Sequence, residues 1–522
     1  MSTYERSIVS IIEPDYKGKI KLDEIFVEDT ESEKAKDKST NVAPTPYKTS
    51  SRAGVFVPMI YVNSHKFSED ELQSMEVSMN GRIPTISARL CDNDNKFAIS
   101  PPIDGDVISL YLRPPDADNQ KPIRIDFYIT SINSSIKDRI YNVNGQMKIP
   151  ELYREYCKSF PNANSFDHLQ DVCEATGLGF ASNEESTDDS MPRICGFDTY
   201  ETFVNDIVFT SYKDDESFFD WYIDPYYYLC FVNINKQFSL EDKTEDVNIS
   251  SSIPASSQPD TGDTGPSEDN IKGSLILTNN TTMGEKNVFI NRYSVENRSG
   301  NVWLSNGYKR YGQWLNIGAE NEYQEAFTDP LTTKGAENDY ILLKGRKSDG
   351  DFYNTMSKSI WLGKQAPYTE KGNVHDNYTF SKMHNHQNLE EITKTTLEVE
   401  LSGMNFYIYK YMRIPVTIYE SGNPKNQELL KGRNEALGED NKNSDAAKNT
   451  PLGKIAAMDM HPTDEDGAPK QTDQVKNELL SGYYVVTGIR FNYSPDDSPS
   501  TLKMCLTLSR REWPIPAKNK DV

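Results

Sequence analysis

The stretch NSFDHLQDVCEATGLGFASN (residues 164–183) runs on through TDDSM (187–191) to DTYETFVNDIVFTSYKDDESFFDWYIDPYYYLCFVNINKQF (198–238). Its spacing predicts three short helices followed by a strand. Ser165 is placed to cap the first helix, whose apolar positions Phe166, Leu169, Val172 and Cys173 share one side. Gly177 stands where a left-handed C-terminal residue is wanted. Asp198 and Glu201 have the spacing of a capping box, and the helix they open repeats Phe203, Val204, Ile207 and Val208 at helical intervals. A third helix is expected from Asp214, with Phe218, Phe219 and Tyr222 inward, stopping at Pro225, which has no amide hydrogen to donate. Residues 227–234 then carry apolar side chains on both faces, the pattern of a strand buried on both sides.

On either side of this block the period changes from helical to two. Val55, Val57, Met59 and Tyr61 alternate with their neighbours; so do Met75, Val77 and Met79, then Ile86, Ala88 and Leu90, then Ile123, Ile125, Phe127 and Ile129. Such alternation means antiparallel strands with one face in a core, and several at short spacing point to a barrel or sandwich. Gly81, Asp104-Gly105 and Pro114-Pro115 supply turns. Pro150 at a first helical position opens a helix with Leu152, Tyr153, Tyr156 and Cys157 inside. Towards the C-terminus, Leu397, Val399 and Leu401 alternate, RIPVTIY (413–419) forms another strand with Pro415 at an edge or bulge, and two runs (Tyr483 to Phe491, Leu502 to Leu508) make a hairpin across SPDDSPS.

The expected fold is α+β and predominantly β: two small antiparallel β-barrels flanking a mixed α/β middle. The organisation reads as a polar N-terminal tail (1–50), a first barrel (51–148), a mixed helical and strand domain (149–238) and a Ser/Asp/Pro/Gly-rich linker (239–270). A β-rich intermediate region (271–389), a second barrel (390–515) with a polar insertion (421–478) and a short tail (516–522) follow. Weak strands are expected at 274–277, 287–296 and 340–344. No identity links the two β-rich regions, so any duplication would be visible only in structure.

The net charge of −23 and a pI near 4.8 argue against nucleic-acid binding, which needs clustered Lys and Arg. Mean hydropathy is −0.69, and no apolar run approaches the roughly 20 residues that span a bilayer. The N-terminus lacks a secretory pattern, so the protein is expected in a cytoplasm. Cys91, Cys157, Cys173, Cys195, Cys230 and Cys505 include no C-x-x-C pair and read as reduced, mostly buried thiols.

No residue stands out as catalytic, cofactor-binding or metal-ligating. His384 and His386 would share a face on a strand, as two zinc ligands require, with His375 and His461 further off, but HDNYTFSKMHNHQN is polar and loop-like. Glu184-Glu185, Asp188-Asp189 and Asp214-Asp215-Glu216 lie in polar turns and read as caps, where a glycosidase needs two carboxylates facing one substrate across a gap. Gly177-Leu178-Gly179 follows a helix and reads as its stop. Tyr226, Tyr227 and Tyr228 with Trp221 read as a core or subunit contact in preference to a carbohydrate platform.

The 164–238 block, together with NVNGQMKIPELYREYCKSFP (142–161), SNGYKRYGQWLN (305–316), LEVELSGMNFYIYKYMRIPVTIYE (397–420), LSGYYVVTGIRFNY (480–493) and TLKMCLTLSRREW (501–513), resembles the baseplate central hub protein of contractile-tailed phages. Its relatives include late control protein D and the hub half of type VI secretion spike proteins. The resemblance covers about half the chain; the N-terminal tail, the 239–270 linker and the 421–478 insertion depart from it. It implies a structural, non-enzymatic virion protein, assembled in the host cytoplasm into the tail baseplate. There a homotrimer would form a pseudo-sixfold ring joining the tail tube to the trimeric central spike and letting DNA pass. Its partners would be the spike, the tube or tube initiator and baseplate wedge proteins, with no cofactor. The alternatives from other classes are a tail-associated peptidoglycan hydrolase and a carbohydrate-binding tail protein.

Overall fold

Period-two alternation of apolar side chains produces strands along much of the described chain, and the fold is α+β, predominantly β, with antiparallel pairing dominant. The computed structural model describes residues 8–15, 58–63, 65–112, 123–135, 139–238, 275–277, 288–298, 310–316, 322–328, 358–364, 374–401, 406, 408–420, 475–477, 480–495 and 501–510. The expected linker, nearly all of the 421–478 insertion, most of the N-terminal tail and the whole C-terminal tail lie outside these residues. So do Val55, Val57, Pro114-Pro115, the 340–344 strand and His461.

The strands are β1 (Val9–Ile12), β2 (Met59–Val62), β3 (His65–Phe67), β4 (Leu72–Ser78), β5 (Thr85–Cys91), β6 (Val107–Leu112), β7 (Ile123–Ser135), β8 (Ile140–Met147), β9 (Glu155–Ala163), β10 (Gly179–Ser182), β11 (Met191–Thr199), β12 (Phe219–Ile223) and β13 (Tyr228–Asn233). There follow β14 (Leu275–Leu277), β15 (Val288–Asn297), β16 (Arg310–Asn316), β17 (Glu322–Thr328), β18 (Lys358–Lys364), β19 (Thr395–Leu401), β20 (Arg413–Glu420), β21 (Val475–Lys476), β22 (Gly482–Ser494) and β23 (Thr501–Arg510).

One sheet contains fourteen of them, in the order β21-β20-β14-β15-β19-β23-β22-β4-β5-β8-β7-β6-β2-β3, and a further β20–β22 ladder closes its second half into a six-stranded ring. Within this sheet the same five-strand unit occurs twice. In the first unit the order is β4-β5-β8-β7-β6 and in the second β15-β19-β23-β22-β20; every neighbour is antiparallel, and the chain visits the strands in the same sequence.

The match extends to detail. β7 has a bulge at Thr130, between the pairs Ile129↔Gly145 and Ser131↔Asn144, and β22 has one at Thr487, between Val486↔Leu508 and Gly488↔Thr507. Each threonine hydroxyl donates to the carbonyl across the ladder, Thr130 to Asn144 and Thr487 to Thr507, both at 3.2 Å. A bulge bends and twists its strand. Beyond its bulge, β22 leaves β20 and pairs with β4 (Arg490↔Ser78, Phe491↔Val77, Asn492↔Glu76, Tyr493↔Met75), which joins the two units edge to edge. A Cβ on Gly488 would lie 2.2 Å from Asn80 Oδ1, so glycine suits the point where this strand changes partner.

The middle of the chain packs helices on a four-stranded sheet, β1-β10-β13-β12, beside a two-stranded ribbon of β9 and β11. Helix Ser165–Thr176 buries Phe166, Leu169, Val172 and Cys173, and Gly177 ends it at φ 73°. Helix Tyr200–Phe209 buries Phe203, Val204, Ile207 and Val208. The caps are not the expected ones. Asn164 caps the first, its side chain accepting from Asp167 N at 2.8 Å, and Thr199 caps the second, accepting from Thr202 N at 3.2 Å. In each case the cap is the residue still in extended backbone.

The third helix expected from Asp214 is absent: Asp214 closes a turn by accepting from Glu216 N and Ser217 Oγ, and Phe219–Ile223 is strand β12. All five of its residues are buried, so both faces find cover, and pairing with β13 overrides the helical spacing. The helix at Pro150 is one turn (Pro150–Tyr153), which leaves Cys157 exposed on β9. Val9–Ile12, in the expected tail, is a strand that pairs with β10, and the weak strands expected at 274–277 and 287–296 are β14 and β15, which join the second β unit.

Candidate functional site

The two β units and the helical middle meet at one buried cluster of charges. The β4–β5 turn supplies Asn80, Gly81 and Arg82; β12 supplies Asp220; the segment leading into β20 supplies Lys410 and Tyr411. The Arg82 guanidinium donates to Asp220 Oδ1 through Nε (3.0 Å) and Nη2 (2.9 Å), and its plane lies over the rings of Phe209 and Trp221. Tyr411 donates its hydroxyl to Asp220 Oδ2. Lys410 Nζ donates to Gly81 O (2.9 Å) and Asn80 O (3.3 Å), so the ammonium ties the segment before β20 to the β4–β5 turn. Backbone bonds fasten the same place: Met79 N to Ile489 O (2.8 Å), Ile223 N to Arg82 O (2.8 Å) and Tyr411 N to Val486 O (2.6 Å).

Tyr411 holds φ at 66°, a costly conformation for a bulky residue, and its ring meets Tyr222 of β12 edge-on with centroids 5.9 Å apart. Burial drives the Lys410 ammonium down to about 8, with Asp220 opposing the shift and Arg82 adding to it. Burial, and then Asp220, hold the Tyr411 phenol well above its ordinary value. A cavity of about 30 Å³ beside Lys410, lined by Met79, Tyr222, Ile408 and Phe491, is too small for an organic ligand. The arrangement fixes the relative positions of three parts of the chain and offers no room for a substrate. A second tie is Tyr227, whose hydroxyl accepts from Asp126 N on β7 at 3.0 Å.

The joined sheet turns one face to its cores and the other outward. The outward face runs unbroken from β15 to β8 across both units, because directly opposed residues point the same way: Arg292↔Glu400, Glu400↔Cys505, Cys505↔Arg490, Arg490↔Ser78, Ser78↔Thr85, Thr85↔Gln146. It carries Arg89, Arg292, Arg490 and Lys503 against Glu76, Glu296, Glu398 and Glu400; the rest is Ser, Thr, Asn, Gln and Cys, with Gly488 and, at one end, Ile140. Ion pairs Arg490–Glu398 (3.4 Å), Lys503–Glu400 (3.6 Å) and Arg292–Glu400 knit it together. On a chain of net charge −23 this face is balanced. A shallow groove of about 260 Å³ between Ser78, Thr85, Thr130 and Asn144 lies on it.

The residues weighed from sequence lie elsewhere and apart. His384 and His386 belong to a helix, Tyr378–Glu391, where the sequence reads as a loop. At two residues apart on a helix they diverge: His384 is buried and stacks on Phe380, while His386 is exposed beside Glu390. Among the described residues no group of three or more His, Cys, Asp or Glu is arranged to hold a metal. Glu184 is buried between Lys213, Lys236 and Asn233 Nδ2, and Asp189 accepts from the backbone of Ser165 and Tyr212. No two cysteines are bridged, and among the described residues no helix is long and apolar enough to cross a membrane. What the sequence did show of the real cluster is one charge in each of two apolar runs, Asp220 in FFDWYI and Lys410 in YIYKYM.

A second buried polar group holds the helix Tyr378–Glu391 onto the middle. Arg193, 2% exposed, donates to Thr210 Oγ1 (2.8 Å) and Ser165 Oγ (3.0 Å). His375 Nε2 donates to Thr210 O (2.9 Å) and His168 Nε2 to Met191 O (3.0 Å), each leaving Nδ1 buried without a partner. Burial, with Arg193 close by, pushes both imidazoles below their ordinary value; Asp189 opposes this at both, Asp171 at His168 and Asp376 at His375. Both are therefore neutral in the folded protein at pH values where the unfolded chain, at about 6.5, takes up protons. Stability should hold above pH ~6.5 and fall as the pH drops from there towards 5. Melting temperatures across that range should decline, and His375→Gln, which keeps a donor for Thr210 O, should flatten the decline.

No family model matches the chain, and no curated protein does. Among solved structures it is similar to the 43 kDa tail protein of prophage MuSo2 from Shewanella oneidensis, at 10% identity and TM-score 0.43 over 87% of this chain and 98% of that one. It is similar to a tail protein from Neisseria meningitidis MC58 at 9% identity and TM-score 0.42, over 87% and 96%. It is also similar to a chain of a Francisella PdpA–VgrG complex at 10% identity and TM-score 0.36, over 88% and 59%.

Proposed function

We propose that the protein is a trimeric hub of a contractile-tail baseplate, joining the tail tube to the central spike, and that it acts by shape and symmetry without a chemical step. The sequence resemblance supplies the identity. The observation that carries it is the duplicated five-strand unit, joined edge to edge through β22 and β4. A chain with two like units in a row supplies six of them from three copies, which is what an adaptor between sixfold and threefold symmetry requires. The balanced, short-chained polar face shared by both units is suited to line the passage. Among the described residues its basic side chains are interleaved with carboxylates, and Arg292, Arg490 and Lys503 are ion-paired to Glu398 and Glu400, which leaves little to trap phosphate. The Arg82–Asp220–Lys410 cluster sets the angle between the units and is the rigid joint of the ring.

The expected mass in solution is three times 59.3 kDa for the chain alone, or, where the chain alone is monomeric, three chains per complex once its spike is added. Light scattering after size exclusion measures it. A dimer that persists with every partner overturns the reading, as does peptidoglycan clearing lost on mutating one carboxylate.

A further inference from the structure

β7 and β22 hold the same position in the two units, yet β22 has a neighbour that β7 lacks. β22 leaves β20 at its bulge and pairs onward with β4. β6 leaves β7 at Tyr128, and among the described residues the backbone from Ser131 to the end of β7 then has a ladder only with β8. The exposed backbone groups of such an edge are a template for another strand. The counterpart of β4 in the second unit is β15, which among the described residues β14 reaches only at Val288 and Phe289.

We propose that residues 131–135 of β7 in one copy pair antiparallel with β15 of the next copy, repeating between chains the ladder that β22 and β4 form within one. This rests on the trimeric reading above and names its subunit contact. The register follows from the two bulges. Thr130 and Asn144 correspond to Thr487 and Thr507, so Asn133 corresponds to Arg490. Through β5 and β19, Ser78 corresponds to Glu296 and Val77 to Val295. Since Arg490 pairs with Ser78 and Phe491 with Val77, the contact between copies pairs Asn133 with Glu296 and Ser134 with Val295. Asn133 and Glu296 both lie on the outward polar face, where an amide can donate to a carboxylate, and no like charges are opposed. Each copy offers one donor edge and one acceptor edge, so the contact is head-to-tail, and three copies bring the polar face round into a closed wall.

The test is the full chain carrying Asn133→Cys and Glu296→Cys, with exposed Cys157→Ser, oxidised at a concentration where its native mass is trimeric. The expected products on a non-reducing gel are covalent dimers and trimers and nothing longer. Either single cysteine should abolish them, as should moving the acceptor to Asn291→Cys, out of register. A trimer by mass that does not cross-link overturns this ladder and leaves the trimer reading standing. A chain monomeric at every concentration and with every partner overturns both, and cross-linked products longer than three overturn the closed ring.

Discussion

Asp220→Asn is expected to lower stability by about 3–5 kcal/mol, the cost of removing one partner from a buried ion pair. The amide keeps the shape and can still accept from Tyr411, so the loss is of charge. Arg82, with its side chain 31% exposed, can turn to water. Lys410 cannot: it is 5% exposed and has only two turn carbonyls and two aromatic faces for company. The damage should therefore be relieved by removing the stranded ammonium, and Asp220→Asn with Lys410→Met should be more stable than Asp220→Asn alone. A pH signature accompanies this. With Lys410 down at about 8 when folded and near 10.4 when unfolded, the unfolded chain holds more protons between those values. The lysine's contribution to stability thus rises with pH across the window, read as the difference between wild type and Lys410→Met. Urea melts that leave Asp220→Asn level with wild type would show that the three parts are held together by packing alone.

Asn385→Leu should be comparably costly, at about 3–5 kcal/mol. One buried amide serves four backbone groups: Oδ1 accepts from Phe219 N (3.1 Å), while the two hydrogens of Nδ2 are shared among Val208 O (3.3 Å), Phe209 O (3.0 Å) and Ser211 O (3.1 Å). The last carbonyls of a helix have no partner within it. Here a side chain from a helix more than a hundred residues further on supplies one, and at the same time fixes the start of β12. Leucine fills similar space and satisfies none of these groups. Hydrogen exchange should show helix Tyr378–Glu391 losing protection while the β4–β5 ladder keeps its own. If protection falls equally in both, the helix is part of one cooperative core and its docking does not depend on this side chain.

The readings that succeeded in sequence are those decided by neighbours in the chain. Met75, Val77, Ile86, Ala88 and Leu90 alternate and are buried; Gly177 ends its helix in the left-handed region. Those that failed were decided by partners far away. Phe218, Phe219 and Tyr222 have helical spacing, but β13 lies alongside to pair with Phe219–Ile223, and a strand covered on both faces needs no alternation. The 374–391 stretch is too polar to read as a buried helix. It is one because Asn385 and His375 find backbone carbonyls at Phe209 and Thr210 that the rest of the fold holds ready. The candidate site was legible only as two isolated charges in apolar runs, since nothing in the order of residues brings Arg82, Asp220 and Lys410 together.

By itself the amino-acid order determined the class of fold, the buried face of the alternating strands and the two helices Ser165–Thr176 and Tyr200–Phe209, because side-chain period acts over a few residues. The tertiary structure alone decided that the chain contains the same five-strand unit twice and that β22 crosses from one copy of it to the other. Strand pairing is made by backbone groups common to every residue, so two units can share their ladders, their bulges and a hydroxyl bond at 3.2 Å while sharing almost no side chains.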